Sequence, residues 1–267
     1  MNPVEAAFFD LDKTVISKSS SLALTRPMYR AGLVSRSSLL KGAYAQLMYL
    51  LLGADEKKMD KVKDSMLALT RGWDREQVEE IVRDALATLI DPYIYLEALD
   101  LMELHRALGR KVLIVSSSAE EIVRPLAERL GKVDVIATKA TVEDGKYTGE
   151  LDFYCYGANK AIAIREVADQ QGIDLAASYA YSDSITDLPM LKTVGHPVAV
   201  NPDRDLRREA EKRGWQIRHF RRPVRLRQRF PQVRPPSPVA AAAVGTAALA
   251  ALVGWLYLRR ITGRRTA

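Results

Sequence analysis

Short apolar runs alternate with longer amphipathic stretches along most of the chain, and this alternation predicts strands separated by helices. The first apolar run, Ala6–Phe9, has the length and composition of a strand buried in a parallel sheet. After the third run, the pair Asp144-Gly145 between two β-prone stretches predicts a hairpin turn. Strands that alternate with helices at this spacing predict an α/β fold with a doubly wound parallel sheet. The predicted strands are residues 6–9, 111–115 and 133–138, with a fourth inside 178–184 and a fifth inside 196–202.

The residues between the first two strands have a helical pattern. Apolar positions recur at helical spacing from Leu22 to about Leu89. Asp74, followed three residues later by Gln77, predicts a capping box at the start of one of these helices. The Asp91-Pro92 pair interrupts the pattern, because proline disfavours helical backbone at the residue before it. We therefore expect a helical insert directly after the first strand.

The last apolar run, residues 238–258, carries no charge. At about 1.5 Å per residue, its 21 residues can cross a hydrocarbon layer of ~30 Å. Trp255 and Tyr257 resemble the aromatic anchors of membrane interfaces. We expect a transmembrane helix that anchors a cytoplasmic body by its C-terminus. A soluble helix is the alternative, since the run is rich in alanine, which is only weakly lipophilic.

Basic residues are concentrated near the C-terminus. From Arg204 onward there are 16 basic and 3 acidic residues, a net charge of +13, whereas the preceding 203 residues have 24 basic and 30 acidic, a net charge of −6. A basic tail indicates an anionic surface, either lipid headgroups or nucleic acid, and the adjacent apolar run favours a membrane. We expect no nucleic acid partner. Cys155 is the single cysteine, which excludes an intrachain disulfide and fits a reducing compartment, and the N-terminus lacks the pattern of a secretory signal.

Polar side chains lie where predicted strands end or helices begin. Parallel strands bring their carboxyl ends to one edge of the sheet, where ligands bind in open α/β folds. Each residue also has a structural alternative: the acids could occupy turns or cap helices, and the lysine could be a solvated helix residue. The set comprises Asp10 and Asp12 after the first strand, Ser116 after the second, Lys160 at the head of a helix, and Asp183 and Asp187 after the fourth strand.

Phosphoryl transfer is the chemistry that uses such a set, because it requires a nucleophile, a proton carrier and cations around the phosphate. Asp10 is the expected nucleophile, and it would form an aspartyl phosphate. Asp12 would protonate the leaving oxygen and later activate water. The remaining expectations are that Ser116 and Lys160 hold phosphate oxygens, and that Asp10, Asp183 and Asp12 (the last by its carbonyl) bind Mg²⁺ with Asp187 alongside.

Four sequence motifs carry a family resemblance. FFDLDKTV, KVLIVSSS, the lysine of GANKA and YSDSITDLPML resemble the motifs of haloacid dehalogenase-type phosphatases. More narrowly, they are similar to the branch, subfamily IB, that contains phosphoserine phosphatases and phosphatidylglycerophosphatase C-like proteins. The resemblance covers roughly residues 4–217 and implies a Rossmann-like core, a helical cap formed by the insert, and Mg²⁺ as cofactor.

The sequence departs from the family pattern at several positions. Lys13 and the pair 117–118, both serines, stand where the family usually has glycine. Ser19 falls near the position of a cap glutamate that reads the amino group of phosphoserine, which counts against phosphoserine as substrate. Arg26 and Arg71 are candidate cap contacts for an anionic substrate, with surface solvation as the alternative.

The expected protein is therefore a Mg²⁺-dependent phosphomonoester hydrolase held at a membrane and acting on a lipid-linked or small phosphate ester. A phosphoserine phosphatase-like enzyme of soluble metabolites and a non-catalytic phosphate-binding membrane adaptor are the alternatives. The predicted domains are a core of residues 1–17 and 91–217, a cap of 18–90, a basic linker of 218–237, a transmembrane helix of 238–258 and a basic tail of 259–267.

Overall fold

The computed structural model describes residues 4–35, 67–131 and 133–224. The chain divides into two units, Met1–Phe230 and Pro231–Ala267, and all described residues belong to the first. Within these residues, no helix is both long enough and apolar enough to cross a bilayer. The predicted transmembrane helix at 238–258, and most of the predicted linker, lie outside the described residues.

Seven strands form the main sheet, in the order β5-β4-β3-β1-β6-β7-β8, and two short strands, β2 and β9, form a second sheet. All pairs in the main sheet are parallel except β4–β5. The prediction of an α/β fold with a mostly parallel sheet is confirmed. The strands are β1 (Ala6–Phe9), β2 (Ile94–Tyr95), β3 (Lys111–Ala119), β4 (Asp134–Glu143), β5 (Lys146–Phe153), β6 (Tyr179–Ser182), β7 (His196–Val200), β8 (Gln216–Arg218) and β9 (Pro223–Val224).

Seven α-helices have both ends within the described residues, residues 67–70 are also helical, and three short helical turns of other types are present. The helices are α1 (Ser20–Arg30), α2 (Arg75–Ala85), α3 (Leu96–Ala107), α4 (Glu120–Arg129), α5 (Ala158–Gln171), α6 (Leu188–Leu191) and α7 (Arg204–Arg213). The turns are a π-turn at Leu86–Ile90 and 3₁₀ turns at Asp91–Tyr93 and Ile185–Asp187.

Strand β1 lies in the centre of the sheet, between β3 and β6, and all four of its residues are fully buried. Phe9 pairs with Ile114 on one side and with Tyr181 on the other, and its ring stacks on that of Tyr181 at 4.4 Å between centroids. A strand covered on both faces needs apolar side chains in both directions, which is why this segment reads as a continuous apolar run.

Strand β3 extends further than predicted. The sequence predicts a strand that ends at Val115, but the extended backbone continues through the three serines to Ala119. Its pairing with β4 shifts register between Ser116 and Ala119, an irregularity of the kind that a bulge produces. Bulges re-aim side chains at sheet edges, and this one lies where the predicted site residues follow the strand.

The predicted hairpin is confirmed. Strands β4 and β5 are antiparallel, and Glu143 pairs with Lys146 across a two-residue turn. Asp144 and Gly145 have φ values of 49° and 75°, so both turn residues are left-handed, as a type I′ turn requires.

The hairpin also bonds to the insert through main-chain atoms. The Tyr147 N–H donates to the carbonyl of Trp73 at 3.0 Å, the Gly72 N–H donates to the carbonyl of Tyr147 at 2.8 Å, and the Arg75 N–H donates to the carbonyl of Gly145 at 2.9 Å. These bonds join the segment before α2 to the edge of the main sheet.

The described part of the insert contains α1 and α2. Asp74 accepts a hydrogen bond from the Gln77 N–H at 3.0 Å, which is the aspartate half of the predicted capping box. Helix α2 ends at Ala85, earlier than the predicted end near Leu89, and the π-turn and the 3₁₀ turn that contains Pro92 follow.

Residues 218–224 pack on the body, although they were predicted to begin a linker. Phe220 is 5% exposed, and its main-chain N–H and C=O both bond to the side chain of Asn201, at 3.0 and 3.1 Å. Strand β9 then pairs with β2. The sequence did not predict that Phe220 packs on the body, because basic residues and prolines surround it.

Candidate active site

Two of the predicted acids follow neighbouring parallel strands. Asp10 comes directly after β1 and Asp183 directly after β6, and the Asp10 N–H donates to the carbonyl of Tyr181 at 2.9 Å. Because Phe9 pairs with Ile114, Ser116 stands slightly further toward the same edge of the sheet, and it is buried. The carboxyl edge of three adjacent strands thus carries Asp10, Ser116 and Asp183.

Lys160 joins two of the acids. It lies in the first turn of α5 and is 2% exposed. Its Nζ donates to Asp10 Oδ1 at 2.7 Å and to Asp187 Oδ2 at 2.8 Å. The Ser182 hydroxyl donates to the same oxygen of Asp187 at 2.7 Å, so Asp187 is fixed from two sides. Asp187 therefore orients Lys160 toward Asp10.

The buried charges at this edge do not balance. Asp10, Asp183 and Asp187 are all buried, and Lys160 is the buried cation that contacts two of them. Burial raises the pKa of Asp10, Lys160 opposes this rise, and the charges of Asp187 and Asp183 add to it. Burial also raises the pKa of Asp183 to about 7, against the attraction of Lys13. Burial alone would lower the pKa of Lys160, but the attraction of Asp10 and Asp187 raises it, so the lysine stays charged.

This charge excess fits the predicted metal. Three carboxylates against one ammonium leave uncompensated negative charge in a buried site, and a hard divalent cation with oxygen ligands would neutralise it. The described residues hold no group of three or more His, Cys, Asp or Glu side chains arranged for a metal. The predicted metal site uses only two side chains, the carboxylates of Asp10 and Asp183, together with the main-chain carbonyl of Asp12. These donors fit Mg²⁺.

The Asp12 carboxylate is engaged with two serines. Its Oδ1 accepts from the Ser20 N–H at 2.6 Å. Its Oδ2 accepts from the hydroxyls of Ser118 and Ser20, at 2.9 and 3.2 Å. The Ser118 N–H donates to Ser116 Oγ at 3.1 Å, which connects this group to the predicted phosphate ligand. The structure therefore brings Asp10, Lys160 and Asp187 into direct contact and links Asp12 to Ser116 through Ser118.

Three polar residues of this region were not among the predicted site residues. Ser20, Ser118 and Ser182 are buried and bond to the predicted acids. The sequence did distinguish Ser118, because a serine stands there in place of the glycine that is usual in the family.

Lys13, which also replaces a family glycine, has a left-handed backbone with φ of 63°. The candidate cap contacts Arg26 and Arg71 are both exposed, and the side chain of Arg71 lies against Gly149 of the hairpin. Substrate contact by Arg26 and Arg71 therefore stays a prediction.

Comparison with known proteins agrees with this geometry. Residues 7–192 match the family described as haloacid dehalogenase-like hydrolase. A probable phosphatase of Mycobacterium tuberculosis is 52% identical over 256 residues, which cover 96% of this chain and 89% of that protein. A phosphoserine phosphatase of the same organism is 33% identical over 249 residues, covering 92% of this chain and 79% of the other.

The fold has solved counterparts. A phosphoserine phosphatase, solved as an analogue of its phospho-aspartyl intermediate, superposes with a TM-score of 0.59 at 19% identity. The match covers 87% of this chain and all of that one. At this identity the likeness concerns the fold.

Proposed function

The chain belongs to the haloacid dehalogenase-like hydrolase family and is a phosphatase, and from this premise we propose that it hydrolyses phosphate monoesters through a phosphoryl group carried by Asp10, with Mg²⁺ as cofactor. The observation that carries the proposal is buried Lys160, held between Asp10 and Asp187 at the carboxyl edge of the sheet. A lysine in this place can bind a phosphate oxygen beside the attacking carboxylate.

In the first step, an Asp10 carboxylate oxygen attacks phosphorus. Lys160 bonds to Oδ1, so we assign the attack to Oδ2. The bond between phosphorus and the ester oxygen breaks, its electron pair stays on that oxygen, and the oxygen takes a proton from Asp12. The products are the alcohol and an acyl phosphate on Asp10.

In the second step, water hydrolyses the acyl phosphate. Asp12, now a carboxylate, takes a proton from the water as its oxygen bonds to phosphorus. The bond between phosphorus and Asp10 breaks, and inorganic phosphate leaves. The two steps return both aspartates to their starting states.

The phosphate needs cationic and hydrogen-bonding partners in both steps. We assign Lys160 and the Ser116 hydroxyl to its oxygens, since both are buried beside Asp10 at the sheet edge. Asp10, Asp183 and the Asp12 carbonyl would hold Mg²⁺, which when bound supplies charge neutralisation for the phosphate and the carboxylates.

For location and substrate, we propose a cytoplasmic body anchored by residues 238–258 and acting on a lipid-linked phosphate ester. The supports are the length of this uncharged run and the arginines beside it. Full-length protein should float with phosphatidylglycerol vesicles in a density gradient and stay with them at high salt. Release by salt would show that the tail lies on the surface by charge alone and would contradict the anchor.

A small soluble phosphate ester is the second candidate substrate. The relative that is 33% identical and named a phosphoserine phosphatase favours it. Ser19 opposes phosphoserine itself, because a neutral hydroxyl cannot form the ion pair that a glutamate would form with an ammonium group. A panel with phosphoserine, glycerol phosphate and a phosphatidic acid in vesicles separates the candidates by kcat/KM.

The mechanism is tested by Asp10→Asn in the full-length protein. This change removes the nucleophile but keeps the shape of the side chain, so turnover of every substrate and formation of an acyl phosphate should both be abolished. Retained turnover would contradict the Asp10 intermediate. An inactive wild-type chain that binds phosphate esters without forming an acyl phosphate would instead favour the adaptor alternative.

A further inference from the structure

The Asp12 carboxylate is held by three donors from two distant parts of the chain. One is the main-chain N–H of Ser20, the first residue of α1, and the others are the hydroxyls of Ser20 and Ser118. The two hydroxyl oxygens also lie 2.9 Å from each other. We propose that Ser20 and Ser118 are positioning residues that orient Asp12 for proton transfer, an inference that rests on the proposed function of Asp12.

The arrangement leaves a defined place for the proton. A carboxylate has about four lone-pair sites on its two oxygens. When both hydroxyls donate to Oδ2, that oxygen is saturated, whereas Oδ1 receives only the Ser20 N–H. The remaining site is therefore on Oδ1, which is where we place the proton that reaches the leaving oxygen.

Serine suits a group that changes protonation state. Both hydroxyls donate to Oδ2, and the proton is placed on Oδ1, so the two serines can keep their hydrogen bonds whether or not Asp12 carries the proton. An arginine or lysine partner, which can only donate, would hold Asp12 in its charged form.

The positions of both serines are firmly fixed. Ser20 is fully buried and Ser118 is 5% exposed. Ser20 opens helix α1, so the N-terminal end of that helix, which favours negative charge, faces the carboxylate. Ser118 is held by β3, and its own N–H bonds to Ser116. Asp12 is thus oriented between the insert and the central sheet.

A purely structural role is the competing explanation, since Asp12 also caps α1. Stability alone does not separate the two explanations. The dependence on leaving group does, because protonation by Asp12 matters for a poor leaving group such as an alkoxide and little for 4-nitrophenolate. The kinetic constant to measure is kcat/KM, which covers only the steps up to release of the alcohol.

The test compares full-length wild type with Ser20→Ala and Ser118→Ala on 4-nitrophenyl phosphate, phenyl phosphate and glycerol phosphate. We expect kcat/KM to fall about 10-fold or more for glycerol phosphate and less than about 3-fold for 4-nitrophenyl phosphate. The loss on glycerol phosphate would be part of the roughly 10²–10⁴-fold acceleration that a positioned general acid contributes. Ser118→Thr keeps the hydroxyl and should restore the wild-type leaving-group dependence.

Ser178→Ala is the matched control. Ser178 is as buried as Ser20, and its hydroxyl accepts from the Ala6 N–H at the start of β1 and donates to the carbonyl of Asp174. It should lower stability without changing the leaving-group dependence. Equal losses on all three substrates in Ser20→Ala and Ser118→Ala, or no loss, would overturn the positioning role while Asp10→Asn stays inactive. An active Asp10→Asn would overturn the proposed function and this inference together.

Discussion

Lys160 illustrates at the residue scale how a buried charge depends on its partners. Its ammonium contacts Asp10 and Asp187, and each of these groups would be an uncompensated buried charge without it. Removing one partner of a buried ion pair costs about 3–5 kcal/mol, more than the pair itself contributes.

We expect Lys160→Met to lower the free energy of unfolding by about 3 kcal/mol, measured by urea denaturation at neutral pH. The double variant Lys160→Met with Asp187→Asn should lose less free energy of unfolding than the two single losses added together. The second change removes one of the carboxylates that Lys160→Met leaves without a cation. Additive effects in this cycle would contradict the contact between Lys160 and Asp187.

Lys13 carries backbone strain beside the acids. Its φ of 63° lies in the left-handed region, which costs a non-glycine residue about 1–2 kcal/mol. Lys13→Gly should therefore raise the free energy of unfolding by about 1 kcal/mol in thermal or chemical denaturation. Lys13→Ala is the control, since it removes the ammonium but keeps the strain and should not stabilise. If alanine stabilises as much as glycine, charge rather than backbone strain is the cause.

The site residues divide into those that sequence could predict and those that it could not. Asp10, Ser116 and Asp183 follow apolar runs, and parallel strands necessarily bring such positions to one edge. Their roles as nucleophile, phosphate ligand and metal ligand remain predictions. The contacts of Ser20 and Ser118 with Asp12 could not be predicted. The direction of each hydroxyl depends on the register shift in β3 and on where α1 begins, and neither feature has a periodic pattern in the sequence.

At the element scale, the β4–β5 turn was predicted correctly, whereas the end of β3 was not. The β4–β5 turn follows from Asp144-Gly145, two residues that accept left-handed backbone. The end of β3 depends instead on tertiary pairing with β4, which extends a run of serines that has weak preferences of its own.

The turn between α6 and β7 contains a glycine at which a Cβ would collide with the main chain. A Cβ on Gly195 would lie 1.8 Å from the carbonyl oxygen of Ala176, and main-chain atoms cannot move aside easily. Gly195→Ala should lower the free energy of unfolding by about 3 kcal/mol, the upper part of the range for overpacking.

Gly109→Ala is the matched control for Gly195→Ala. Gly109 has a φ of 77° and open space around a Cβ, so it should lose only the ~1 kcal/mol of backbone strain. Equal losses at the two glycines, measured by chemical denaturation, would contradict the close approach of Ala176.

At the scale of the whole molecule, one buried histidine makes stability depend on pH. His105 on α3 is buried, and its Nε2 lies 2.8 Å from the Tyr181 hydroxyl. Burial, together with the charges of Arg110 and Arg218, lowers the pKa of His105 to about 4, against the attraction of Glu5. Above the ordinary pKa of about 6.5 the ring is neutral in the folded and unfolded chain, whereas below it only the unfolded chain binds the proton.

Stability contributed by neutral His105 is therefore complete above pH 6.5 and lost as the pH falls toward 4. We expect the wild type to lose about 2 kcal/mol more than His105→Gln between pH 7.5 and pH 5, in free energies of unfolding from urea titrations. Comparing the two proteins cancels the buried aspartates, whose raised pKa values act in the opposite direction. Parallel pH profiles would contradict a neutral buried ring.

The extent of the folded body was the least predictable feature. Composition marked residue 218 as the start of a linker, because arginines and prolines dominate there. One apolar side chain, Phe220, and two bonds from Asn201 hold the segment instead. One buried side chain hardly changes the average hydropathy and charge of the surrounding segment, so composition cannot reveal it.

The main-chain bonds between the insert and the β4–β5 hairpin bear on how chimeras could be made. Gly72, Trp73 and Arg75 bond through backbone atoms, so these bonds constrain the backbone course of the segment, and the φ of 81° at Gly72 favours glycine there. An insert transplanted from another protein would need to reproduce this backbone course at the junction. It would also need a serine at the start of α1, because Ser20 bonds to Asp12 from the insert side of the site.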